Sequence, residues 1–137
     1  MSACDSIDWN MTLVVVRDGK PDETLLNFVD VDIIFGLISG DVHYGGRKVS
    51  ELHGLCVPLG RNASQMTFRF NLPGVELFLI GIAFEDPRGN VKFDGVFRAF
   101  EPRTGVSTKP VAAFPDVGET GTGNGNQAQN PDKPPLT

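Results

Sequence analysis

Histidines, serines and paired carboxylates are the side chains best suited to chemistry, and their spacing argues against catalysis. Depending on the pairing at the Gly45-Gly46 turn, His43 and His53 lie on opposite faces of a hairpin, or on one face but displaced along the strands. No serine lies in a Gly-x-Ser-x-Gly motif, which would mark a hydrolase nucleophile. The glycine-rich segment 121–125 contains no lysine, so it does not match a phosphate-binding loop. Asp30 and Asp32 share a strand face but bring no further oxygen ligands. We expect neither an enzyme nor a metal site.

The two cysteines, Cys4 and Cys56, form no Cys-x-x-Cys pair and show no metal-ligand spacing. Zinc binding is therefore not expected. We interpret the pair as two free thiols, one of them buried. The alternative is a single disulfide, which would staple the start of the chain to the predicted sheet.

The charge distribution excludes one class of partner. Residues 1–32 carry the whole net charge of -5, and no basic stripe appears elsewhere in a chain of pI near 4.9. The chain offers no basic surface that could bind a phosphate backbone, so nucleic acid is not an expected partner. No apolar run reaches the roughly 18 residues of a membrane-spanning helix, and the start resembles no signal peptide. We expect no membrane contact, and either a cytoplasmic protein or the mature form of a secreted one; the compartment stays open.

The apolar residues recur with a period of two, which predicts strands. Residues 65–72 alternate without a fault, with Met66, Phe68 and Phe70 on one face. Turn signals such as Pro73-Gly74 separate the runs and favour hairpins. The predicted strands are 11–17, 24–34, 37–44, 49–58, 65–72, 75–85 and 91–101, with a weaker eighth near 106–114.

Seven or eight short strands in a meander must remove their exposed edges, and a closed barrel does so. Glycines inside the predicted strands permit the coiling of a small barrel. We therefore predict an all-β, antiparallel up-and-down barrel, with a β-sandwich as the alternative. We predict that residues 1–10 form a leading segment and residues 11–114 form the barrel. The Gly/Pro-rich residues 115–137 contain too few apolar side chains to fold, so we predict a disordered tail there.

The turn lengths also predict register. A two-residue turn at 73–74 pairs Phe68 with Leu79, and a five-residue loop at 86–90 pairs Leu79 with Phe97. Large apolar side chains of the strand 75–85 then point to the outer face, where a solvated wall should be polar. We predict that another subunit, or the residues after 101, covers this stripe, and that the protein forms a homo-oligomer. The stripe consists of Phe78, Ile80, Ile82 and Phe84.

Several scaffold segments resemble the avidin family over about residues 4–101. They are Cys4, Trp9-Asn10-Met11-Thr12, Ser39-Gly40-Asp41-Val42, Leu52-His53-Gly54, Thr67-Phe68-Arg69-Phe70, Ile80-Gly81 and Glu85-Asp86-Pro87-Arg88-Gly89-Asn90-Val91. The resemblance implies an eight-stranded barrel that binds a small molecule, biotin in that family, at one open end. It also implies dimers or tetramers that assemble through the barrel walls.

The biotin contacts of that family match poorly. Asn10 directly follows Trp9 instead of lying two residues beyond it. Tyr44 lies two residues further along its strand than the tyrosine of that family. The chain has one Trp, whereas the family walls its pocket with several. No cofactor is therefore expected, and biotin is kept only as one candidate ligand. The ligand-binding candidates are Asn10, Ser39, Tyr44, Phe68, Phe70 and Phe97. The alternative function is a structural or protein-interaction module with a filled core.

Overall fold

The computed structural model describes residues 3–102, 109 and 111–128. These residues form eight antiparallel strands, each paired with its neighbours in chain order, and β8 pairs with β1 to close a barrel. The all-β meander and its closure confirm the predicted fold class and exclude the sandwich. The strands are β1 (Ser6–Arg17), β2 (Glu23–Ile34), β3 (Leu37–Tyr44), β4 (Arg47–Pro58), β5 (Ala63–Leu72), β6 (Val75–Glu85), β7 (Val91–Phe100) and β8 (Thr120–Ala128).

The inward faces of the first seven strands fill the barrel with large apolar side chains. Phe28, Phe68, Phe70 and Phe93 are the largest side chains that are fully buried. Their rings form a chain along the interior: the Phe28 centroid lies 5.5 Å from that of Phe70 and 5.0 Å from that of Phe68, which lies 5.1 Å from Phe93. Edge and tilted contacts at these separations stabilise a core beyond the area they bury.

The predicted register is confirmed on both sides of β6. Phe68 pairs with Leu79 across β5 and β6, and Leu79 pairs with Phe97 across β6 and β7. Because side chains alternate between faces, this register places the even-numbered positions of β6 outside. The sequence therefore specified the inner and outer faces of three adjacent strands.

The eighth strand lies where the sequence predicted a disordered tail. Residues 120–128 form β8, so the prediction for 115–137 is wrong there, and 129–137 lie outside the described residues. The weaker strand near 106–114 is also wrong over its described part, since 111–114 form no strand. The leading segment 1–10 is shorter than predicted, because β1 already begins at Ser6.

β8 carries its smallest residues on its inner face and larger polar ones on its outer face. Its composition therefore did not predict a strand. Its inward positions are Gly121, Gly123 and Gly125, while threonine and asparagine point outward between them. A Cβ at Gly123 would overlap the Leu79 side chain, and one at Gly125 would overlap the Met11 sulfur. The other strands already fill the interior, so β8 has room only for glycine.

Gly123→Ala should therefore destabilise the barrel, although alanine favours most folded backbones over glycine. The added methyl overpacks against Leu79, and we expect a loss of about 1–3 kcal/mol in the free energy of unfolding, measured by urea titration. Thr122→Ala, on the outer face of the same strand, is the control and should change stability by less than about 0.5 kcal/mol. Leu79→Val should recover part of the loss in the Gly123→Ala background and not in the wild type; additive effects would contradict the packing argument.

The interpretation of the cysteines as free thiols is wrong. Cys4 and Cys56 form a disulfide, with Cα atoms 5.4 Å apart, and both residues are buried. The bond ties the short 3₁₀ turn Ala3–Asp5 to β4 across one end of the barrel, here called the disulfide end. The other end, where β7 connects to β8, is called the plug end.

Candidate functional site

An interior ligand would have to share the barrel with its aromatic core. Phe68 and Phe70 are 0% and 1% exposed, and Phe97 is 3% exposed. Phe68 contacts the rings of Phe28 and Phe93, so it faces other side chains of the core rather than an opening. The three aromatic candidates thus lie in the interior as predicted, but they support a filled core.

Tyr44 lies at the plug end, where a segment of the β7–β8 connection covers the barrel. The Phe114 ring packs edge-on against Tyr44 at 4.9 Å and is 3% exposed. The Thr24 hydroxyl donates a hydrogen bond to the Ala113 carbonyl. These contacts close the opening beside Tyr44, which a ligand would otherwise use.

Glu119 fastens the end of that segment. Its carboxylate accepts a hydrogen bond of 2.6 Å from the Asp116 N–H and lies 3.3 Å from the Lys20 ammonium and 3.7 Å from the Arg17 guanidinium. The backbone hydrogen bond, followed by Lys20 and Arg17, holds the pKa of Glu119 below its usual value. A lowered folded-state pKa stabilises the fold above the unfolded pKa, and this stabilisation is lost as the pH falls through the folded value.

Asn10 and Ser39 do not join Tyr44 in one site. Asn10 braces an irregular pairing of β1 and β2, where its side-chain oxygen accepts a 3.0 Å hydrogen bond from the Asp30 N–H. Ser39 is exposed on the outer face of β3, opposite His53 of β4. The three polar ligand candidates therefore lie apart: Asn10 at the irregular β1–β2 pairing, Ser39 on the outer wall and Tyr44 at the plug end.

The two histidines lie on the outer wall, displaced along the strands. His53 pairs with Ser39, whereas His43 pairs with Lys48 beyond a register shift that follows Val42. This matches one of the two arrangements that the sequence left open. Among the described residues, no three His, Cys, Asp or Glu side chains are placed to hold a metal ion.

The stripe of β6 points outward, as the sequence predicted. Ile80 is 38% exposed and Phe84 is 49% exposed, and Val96, paired with Ile80 on β7, is 56% exposed. Phe78 and Ile82 are half-buried. We call these five side chains the apolar wall. The described part of the segment after 101 leaves Ile80 and Phe84 exposed, and residues 103–108 and 110 lie outside the described residues.

Sequence reasoning missed a second apolar surface at the disulfide end. Phe35 occupies the two-residue turn between β2 and β3 and is 95% exposed, while Leu37 and Leu55 beside it are 62% and 53% exposed. Together with Ile34 these residues form what we call the hairpin tip. The signal was present: strands ending at 34 and starting at 37 leave Phe-Gly as the turn, where Asn-Gly is usual.

Comparisons of the chain with protein-family models, curated proteins and solved structures give no match. The described part of the chain contains no helix with the length and apolar character that a membrane span requires.

Proposed function

We propose that this protein is a non-enzymatic β-barrel that acts as a protein-interaction module and associates with itself through the apolar wall. The observation that carries the proposal is the exposure of large apolar side chains on β6 and β7 of a barrel whose interior is already filled. A filled core leaves the outer surface as the place for function, and contiguous exposed apolar side chains typify association surfaces.

The interior favours this proposal over an avidin-like ligand site. The family resemblance implied an open end and a lined cavity, and the plug at Tyr44 together with the phenylalanine chain supports neither. What the resemblance shares with the proposal is assembly through barrel walls. Dimer and tetramer both remain compatible with it.

Sedimentation velocity over a range of concentrations tests the proposal. The wild type should sediment as a dimer or a larger species, and Ile80→Glu should sediment as a monomer, because a carboxylate would be desolvated in the contact. Leu25→Gln is the matched control, since Leu25 is 52% exposed on β2, away from the wall. A wild type that stays monomeric at all concentrations would sink the proposal.

A further inference from the structure

The chain contains two triplets of the form Asn-x-Ser/Thr in which the middle residue is not proline. They are Asn10-Met11-Thr12 and Asn62-Ala63-Ser64. Such a triplet is the acceptor for an N-linked glycan in proteins that pass through the secretory route. Because short triplets also arise by chance, the compartment and the local structure decide whether either one is used.

The disulfide indicates an oxidising compartment. The chain has two cysteines, and both are committed to the bond between Cys4 and Cys56. They are 4% and 5% exposed, so the bond belongs to the core and is poorly accessible to a thiol that would reduce it. Disulfides form and persist in secreted and extracellular proteins and are rare in the cytosol. The sequence left open a cytoplasmic protein or the mature form of a secreted one, and the disulfide favours the second.

Asn62 lies in an exposed, well-braced turn at the disulfide end. The turn joins β4 to β5, and all four residues between the two strands are exposed. The Leu59 N–H donates to the Ala63 carbonyl and the Glu85 N–H donates to the Asn62 carbonyl, both at 2.9 Å. Both bonds use backbone atoms, so a sugar on the side-chain nitrogen of Asn62 breaks neither of them. The space beside the turn is open, since a Cβ added at Gly60 would meet no atom within 4 Å.

Asn10 lies in a different environment. It is half-buried inside β1, and its backbone pairs with Ala128 of β8. Its side-chain oxygen accepts the 3.0 Å hydrogen bond from the Asp30 N–H that braces the irregular pairing with β2. The hydroxyl of Thr12, the third residue of this triplet, donates to the Asn27 side chain. A glycan on Asn10 would crowd the wall where β1 meets both of its neighbours, so a chain modified there should fold poorly.

We propose that Asn62 is an N-glycosylation site and that the folded barrel carries a glycan there and not at Asn10. The side-chain nitrogen of Asn62 bonds to the anomeric carbon of an oligosaccharide donor of the lipid-pyrophosphate class. The bond between that carbon and the pyrophosphate oxygen breaks, the lipid pyrophosphate leaves with the electron pair, and the amide nitrogen gives up one proton to solvent. Because Ser64 is only 4% exposed in the barrel, the triplet is read before β5 packs. The inference does not depend on association through the apolar wall.

Full-length protein secreted from cultured eukaryotic cells tests the site. Intact-mass spectrometry of the secreted wild type should show a single N-glycan per chain, which peptide:N-glycosidase removes, leaving an aspartate where Asn62 stood. Asn62→Gln should abolish the mass shift, and its urea midpoint should match that of the deglycosylated wild type because the position is exposed. Peptide mapping of the wild type reads Asn10 in the same sample, so that strand residue need not be substituted.

The expected map shows a glycan at Asn62 and an unmodified Asn10. A secreted wild type without a glycan would overturn the inference. A folded product with a glycan on Asn10, alone or together with one on Asn62, would overturn it as well, because the barrel would then not select between the triplets. If neither the wild type nor Asn62→Gln leaves the cell, the barrel does not mature in an oxidising compartment and the inference loses its basis.

Discussion

Replacing Cys4 and Cys56 together with alanine is expected to lower the free energy of unfolding by about 4 kcal/mol. The bond joins residues separated by 52 positions, and closing a loop of that length removes about this much chain entropy from the unfolded state. The loss should also loosen the start of β1, whose pairing with β2 is irregular between Ser6 and Met11. Apart from replacements of the large buried side chains, few substitutions should have so large an effect.

Urea titration in the presence and absence of a reductant measures this loss. The double variant should be insensitive to the reductant, and reduced wild type should approach the stability of the variant. Hydrogen exchange should show the greatest loss of protection in β1 near Trp9. A stability change below about 1 kcal/mol would mean that the bond constrains the native and unfolded chains alike.

The sequence was sufficient for seven strands because alternating apolar and polar residues or β-branched apolar runs mark them, with turn residues between. In β5, Met66, Phe68 and Phe70 alternate with polar residues, so the face and the register followed from the turn length. β8 obeys the same alternation with glycine as its inward residue. Glycine marks an inward position only when the facing strands fill the interior, and that condition depends on the closed barrel.

Three further features could not be predicted from the sequence alone. The disulfide forms because closure brings Cys4 of the leading segment beside Cys56 of β4, a proximity that cysteine spacing does not encode. The closure over Tyr44 comes from Phe114, which lies far along the chain. The position of His43 depends on a register shift after Val42, a local irregularity without a distinct residue signature.

The two apolar surfaces differ in how visible they were. The stripe on β6 followed from alternation alone. Phe78 and Ile80 alternate with the inward Leu77 and Leu79, so they point to the outer face. The predicted strands 24–34 and 37–44 already leave Phe35 and Gly36 as the turn of the hairpin tip, but only the backbone shows that Phe35 adopts a positive φ. Strand patterns locate exposed apolar faces, whereas exposed turn residues need the conformation of the turn.

Phe68→Ala is the core substitution expected to reveal whether the barrel interior is filled. Phe68 is fully buried and contacts both Phe28 and Phe93, so its loss should cost about 3–5 kcal/mol in the free energy of unfolding. The control is Gln65→Ala, a half-buried position on the same strand, with a change below about 1 kcal/mol. Phe68→Leu is the milder variant if the alanine variant does not fold.

The removed ring should leave an apolar cavity on the barrel axis that accepts a small apolar molecule such as benzene, since engineered cavities of this kind stay dry and bind such ligands. A benzene concentration of 100 times its dissociation constant should restore about 2.7 kcal/mol to the variant, seen as a rise in melting temperature. The wild type should show no rise with benzene, biotin, fatty acids or retinoid-like ligands, because Phe68 already occupies the space. A rise in the wild type with one of these ligands, weakened in the variant, would instead place a binding site at Phe68. That result would make an internal ligand, rather than the outer wall, the function of the barrel.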